Sequence, residues 1–229
     1  MNGTNGVNGK NGSAQSTDDT WRIFRIMAEF VDGFETLSKI GPCITIFGSA
    51  RTPETDRYYL MARSVAGLAV KSGYGVITGG GGGIMEAANR GAFEANGTSV
   101  GLNIQLPFEQ TANRYIKLLL SFKHFFCRKV MFLKYTSAVI VLPGGFGTMD
   151  ELFEALTLIQ TQKSGYLPLV MMGKEYWKGL DEWLHQSMLV NKYISPGDFD
   201  IINMTDDPQE AIDIINGLMK KRHSAVNFA

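Results

Sequence analysis

Residues 138–151 read Ala-Val-Ile-Val-Leu-Pro-Gly-Gly-Phe-Gly-Thr-Met-Asp-Glu. Five apolar residues run without a polar interruption, as in a strand buried on both faces. Pro143 and the glycines that follow break the run, and a helical pattern then continues from 149 to 162. The same grammar occurs upstream: strand-like residues 74–78 enter the five glycines 79–83, and residues 84–95 read as a helix. Working outward, short apolar runs at 43–47, 98–104 and 168–172, with a weaker one at 121–126, alternate with helical patterns at 58–71, 127–135 and 175–189. Ile201 and Ile202 suggest a last strand, and residues 207–221 a closing helix. Such alternation predicts an α/β fold: a Rossmann-like, doubly wound, mainly parallel sheet with helices on both faces. All strand-to-helix loops then lie along one edge, where ligands of such folds bind.

The chain has 229 residues, 45% of them apolar, enough for one domain with a sizeable core. Lysine plus arginine and aspartate plus glutamate both total 22. Zero net charge leaves no footprint for nucleic acid or an anionic membrane. Asn-Gly recurs at Asn2, Asn5, Asn8 and Asn11, so residues 1–18 are expected to form a disordered tail. Residues 19–229 then form the nucleotide-binding domain, led by an amphipathic helix at 21–40. Two well-separated cysteines, Cys43 and Cys127, suggest reduced thiols rather than a disulfide framework. With no apolar leader and no spanning segment visible, a cytoplasmic location is expected.

A glycine loop between strand and helix permits positive φ and close approach of a ligand to the backbone. The following helix aims its free amides and positive end at the same point. Both loops are therefore candidate anion cradles, with Gly80, Gly81 and Gly82 in the first and Gly144, Gly145, Gly147 and Thr148 in the second. Thr148 is also a candidate helix cap. Neither loop is followed by the Gly-Lys-Ser/Thr of a P-loop, and neither forms a full dinucleotide fingerprint.

The second loop, continued to Glu151, has the form PGGxGTxxE, with Arg128-Lys129 upstream and Gly-rich residues 79–88 before that. Over roughly 41–217 the chain resembles the LOG family of nucleoside-monophosphate phosphoribohydrolases, often labelled lysine decarboxylases. The start Phe47-Gly48-Ser49-Ala50-Arg51 and the stretch Met85-Glu86-Ala87-Ala88 are similar to its longer-chain branch. The resemblance implies hydrolysis of a nucleoside 5'-monophosphate, either AMP or a cytokinin riboside monophosphate, to free base and ribose 5-phosphate. It implies catalytic roles for Glu151 and Arg128, and ligand binding by Thr157. It also implies assembly with copies of itself, into a dimer at least, with a hexamer as the larger form.

Glu151, one turn past the loop, would meet the ribose and stabilise an oxocarbenium-like state or orient water. Arg128, at the start of a helix, works against the helix dipole, which points to a role other than helix stability. Gly48, Ser49, Glu86, Glu109 and Lys129 complete the expected substrate contacts, with Gln110 and Asn113 as candidates near the base. His124, His185 and His223 show no metal-ligand spacing, and no lysine carries a Schiff-base signature, so neither metal nor cofactor is expected. The alternative reading is a non-catalytic nucleotide sensor or carrier of the same fold.

Overall fold

The computed structural model describes residues 12–106, 111–164 and 167–220, with side chains from Trp21 onward. Seven strands of the described residues form one sheet: β1 (Cys43–Phe47), β2 (Gly75–Thr78), β3 (Ser99–Ile104), β4 (Leu118–Phe122), β5 (Ala138–Val141), β6 (Leu169–Met172) and β7 (Ile202–Thr205). Their order is β4-β3-β2-β1-β5-β6-β7, and every neighbouring pair is parallel. The fold class predicted from the alternating pattern is therefore present.

Among the described residues, seven α-helices connect and flank the strands: α1 (Gly12–Leu37), α2 (Arg57–Lys71), α3 (Ile84–Glu94), α4 (Phe125–Lys134), α5 (Phe146–Gln160), α6 (Lys174–Trp183) and α7 (Pro208–Lys220). The apolar run of β5 serves two cores because side chains alternate across the sheet. Val139 and Val141 join the layer containing Leu37, Met131, Phe132, Leu152 and Trp177. Ala138, Ile140 and Leu142 join the opposite layer with Tyr59, Ala62, Ile84, Ala88 and Ile212. Alanine-rich faces let α2 and α3 pack closely, and a side chain at Gly91 would collide with the carbonyl of Arg63.

Several boundaries differ from the sequence pattern. The leading helix reaches back to Gly12, so residues 12–18, expected in the tail, are helical; residues 1–11 lie outside the described residues. The fourth strand occupies Leu118–Phe122, and the aromatic stretch expected to be strand splits there. Phe122 closes the strand buried, while Phe125 and Phe126 open α4 and stay half exposed. The helix expected over 175–189 is α6 followed by a π-helical turn, Leu184–Leu189.

The chain winds outward from β1 through β4, then returns to place β5 on the other flank of β1. That reversal opens a crevice between the carboxyl ends of β1 and β5, the general ligand position in doubly wound sheets.

Candidate active site

A cavity of about 810 Å³ occupies this crevice, within the usual range for small-molecule sites. Gly48, Ser49, Ala50 and Arg51 line it after β1, and Gly144 to Met149 with Glu151 after β5. Arg128, Phe125 and Phe132 of α4 and Tyr176 of α6 supply further walls, with Phe47, Gly79, Met85, Ile104 and Leu106.

The β5–α5 loop is clamped from both sides. Ser49 N donates to the Pro143 carbonyl at 2.9 Å, and the Tyr176 hydroxyl donates to the Gly144 carbonyl at 2.6 Å. Gly144 must be glycine, because a Cβ there would collide with the side chain of Thr148. Gly145 and Gly147 differ: a Cβ on either would meet no atom of the described residues within 4 Å, yet both line the cavity. Their bare backbone leaves room for a ligand.

Helix α5 begins at Phe146, three residues earlier than its apolar periodicity suggests, with Gly145 as its cap. Thr148 is therefore a first-turn residue facing the cavity, and no side chain caps this helix. The amides of Thr148 and Met149 both donate to the Gly145 carbonyl at 3.0 Å. The amides of Phe146 and Gly147 precede any intrahelical acceptor, so the helix end offers its unpaired donors at the cavity.

The five-glycine loop behaves differently from the anion cradle its sequence suggests. Only Gly79, with Met85 beyond it, reaches the cavity wall. Gly80, Gly81 and Gly82 do not line it. The carbonyls of Gly80 and Gly81 accept from the Asn113 side chain at 3.3 and 3.0 Å, and Asn113 also donates to buried Asn89 at 2.9 Å. Gly83 takes φ +61, and a side chain there would collide with the Ser49 carbonyl. Ile84 N donates to that same carbonyl at 2.9 Å. This loop thus fastens α3 beneath the β1 loop through close backbone packing.

Glu151 and Arg128, far apart in sequence, meet at the cavity. Glu151 is 5% exposed, and its Oε2 has no hydrogen-bond partner among the described residues. Burial pushes its carboxyl up to about 7, against the opposing pull of Lys129 and Arg128. The Arg128 guanidinium lies 5.2 Å from the Phe125 ring and 5.4 Å from the Phe132 ring, with Nε unpartnered among the described residues. Burial lowers its pKa, offset in part by the charges of Glu151 and Asp150, yet a guanidinium stays protonated at any working pH. Buried polar atoms without partners are costly, and native proteins concentrate them where a ligand completes the pairing.

A general base must be ionised to accept a proton. With the Glu151 carboxyl near 7, activity that uses its carboxylate rises with pH up to neutrality. Below that point kcat/KM should fall about tenfold per pH unit, and a pH–rate profile checks this. A flat profile between pH 5 and 8 would contradict a carboxylate role.

The other expected contacts lie elsewhere. Lys129 pairs with Asp150 and Glu154, each at 2.8 Å, and borders a shallower depression beside Phe153 and Thr157. The Thr157 hydroxyl donates to the Phe153 carbonyl at 2.7 Å, as helix threonines commonly do. Glu86 accepts from the Tyr59 hydroxyl at 3.1 Å, which joins α3 to α2. Glu109 and Gln110 lie outside the described residues. Sequence reasoning missed Tyr176, Phe125 and Phe132 as cavity walls; they sit in ordinary amphipathic patterns with no local motif.

Solved structures share this fold. The molybdenum cofactor binding protein of Rippkaea orientalis matches with TM-score 0.59 and 19% identity, over 78% of this chain and 97% of that one. The Moco carrier protein of Chlamydomonas reinhardtii matches with TM-score 0.55 and 22% identity, over 79% and 99%. The structural-genomics protein TM1055 matches with TM-score 0.59 and 24% identity, over 77% and 99%. In sequence, the chain is 29% identical over 171 residues to a Mycobacterium tuberculosis (strain ATCC 25618 / H37Rv) protein named cytokinin riboside 5'-monophosphate phosphoribohydrolase. That match covers 71% of this chain and 88% of the relative. The family model described as possible lysine decarboxylase matches residues 85–215, more than half the chain and including Arg128 and Glu151. On that match, and on the PGGxGTxxE loop that builds the cavity, the chain belongs to the LOG family.

Proposed function

We propose that the chain hydrolyses the N-glycosidic bond of a nucleoside 5'-monophosphate, releasing free base and ribose 5-phosphate. The observation that carries this reading is the pair of unpartnered, buried groups, Glu151 Oε2 and Arg128 Nε, on residues lining one cavity beside the open α5 terminus. The 5'-phosphate sits at the Phe146 and Gly147 amides, where the helix end favours an anion. The anomeric carbon then lies against Glu151. As the bond from C1' to the base nitrogen breaks, its electron pair leaves with the base, which takes up a proton from solvent. Water adds to C1' and gives its proton to the Glu151 carboxylate, which later returns it to solvent. That carboxylate also stabilises the positive charge developing on the sugar, and Arg128 holds the ligand's anionic oxygens. The relative's name is consistent with this reaction.

The carrier reading meets a physical objection. A protein that only holds a phosphorylated ligand gains from the amide cradle but loses from a buried carboxylate, which repels that ligand once ionised. In hydrolysis the same carboxylate is useful, because the sugar becomes cationic only at the transition state.

The test is incubation of the full chain with AMP, a cytokinin riboside monophosphate and the matching nucleosides, followed by chromatography for free base. Base release from the monophosphates and not from the nucleosides is expected. Tight nucleotide binding with no base released would favour a carrier. Large exposed apolar residues on α1 (Trp21, Phe24, Met27, Val31), with Phe126 and Phe146, further support a homo-oligomer, a dimer or larger. A monomer in light scattering at assay concentration would contradict that.

A further inference from the structure

Glu29 of α1 reaches the first turn of α4 and meets His124 and Cys127 there. One potential ligand atom from each of the three residues lies within 4.8 Å of the other two. The imidazole Nδ1 is 3.0 Å from Glu29 Oε1. Cys127 is fully buried, and the His124 and Glu29 side chains are only 11% and 16% exposed. We propose that Glu29, His124 and Cys127 form a binding site for a zinc-like divalent cation, which pins α1 to the helix carrying Arg128.

The donor set selects the class of ion. Thiolate plus imidazole plus one carboxylate suits zinc and neighbouring transition metals, and disfavours magnesium and calcium, which take oxygen ligands. Zinc bonds of its usual lengths hold tetrahedral donors roughly 3.5 Å apart, so a small contraction closes the site. The carboxylate is already oriented: Glu29 accepts from the amides of Lys123 at 3.1 Å and His124 at 3.2 Å. Backbone donors of this kind fix a metal-bound carboxylate from outside. Packing holds the scaffold, since Gly33 lets α1 approach so closely that a Cβ there would meet Met131 of α4 at 2.7 Å.

A buried free thiol such as Cys127 carries its proton in the absence of metal. Binding replaces that proton, so the thiol and the cation yield the metal thiolate and one released proton. Spacing along the sequence predicts no metal because the third donor, Glu29, arrives from another helix. Arg128 follows Cys127 directly, so the ion would stiffen the turn from which Arg128 enters the cavity.

Cobalt(II) titrated into the reduced, chelator-treated full chain reads out the site directly. A near-ultraviolet thiolate-to-cobalt charge-transfer band is expected, saturating in proportion to the chain and displaced by zinc. Cys127→Ser should abolish it, Cys43→Ser should retain it, and Glu29→Gln should weaken affinity at least about 10-fold. No such band in the unmodified chain, or a band that survives Cys127→Ser, would overturn the proposal. Because the readout is binding alone, it is independent of whether the cavity hydrolyses nucleotides.

Discussion

Replacing Glu151 by glutamine is expected to lower turnover of a nucleoside monophosphate by about 10³-fold or more while leaving nucleotide binding intact. Glutamine keeps the shape but can neither accept the water's proton nor carry the charge that opposes a cationic sugar. Single-turnover kinetics beside equilibrium binding separates the two effects, and loss confined to KM would contradict the assignment. The same substitution should stabilise the fold above neutral pH. In the folded chain the carboxyl holds its proton up to about 7, against an ordinary value of 4.5. Between these values the unfolded chain has released its proton and the folded chain has not, so stability falls as pH rises through this window and stays lower above it. The penalty is on the order of 3 kcal/mol, and glutamine avoids it. Melting of Glu151→Gln at pH 8 should rise by roughly 5 °C or more, with little change near pH 4. A carboxylate kept in place at such a cost fits the proposed catalytic role.

Arg128→Ala is expected to reduce kcat/KM by about 10²- to 10³-fold. It removes the cation flanked by Phe125 and Phe132 and leaves Glu151 with less electrostatic support. The acid limb of the pH–rate profile should therefore move upward, an effect that a merely structural lesion would not produce. Arg128→Lys should recover only part of the loss, because an ammonium cannot reproduce the planar, forked donor set. In the double variant with Glu151→Gln the losses should be far from additive if the two groups act on one ligand. Strict additivity would place them on separate functions.

The strand-to-helix alternation was legible because parallel strands buried on both faces read as uninterrupted apolar runs, as in 138–142. Boundaries near the loops were not. Gly147 discourages a helical reading at 146–148, yet the chain turns into helix there because Gly145 can cap it and the cavity faces its open end. The five glycines showed that the backbone makes a close approach, but not what it approaches. Gly83 approaches Ser49 rather than a ligand, a fact that depends on how β1 and β2 lie side by side. Glu151 and Arg128 are marked by sequence motifs, and both line the cavity. Tyr176 is not so marked, because its hydrogen bond to the Gly144 carbonyl exists only once β6 lies next to β5. Lys129 illustrates the converse. It stands beside Arg128 in sequence, but successive helix positions point about 100° apart, and its ammonium pairs with Asp150 and Glu154 instead.

In the proposed reaction, one helix end and one buried carboxylate grip the two ends of the same phosphoribosyl group. A crystal structure of Glu151→Gln soaked with AMP tests it most directly. Phosphate oxygens within hydrogen-bond distance of the Phe146 and Gly147 amides, with C1' against the side chain at 151 and Arg128 in contact with the nucleotide, are the predicted result. Phosphate bound instead at the Gly80–82 carbonyl face, or a ribose turned away from position 151, would contradict it.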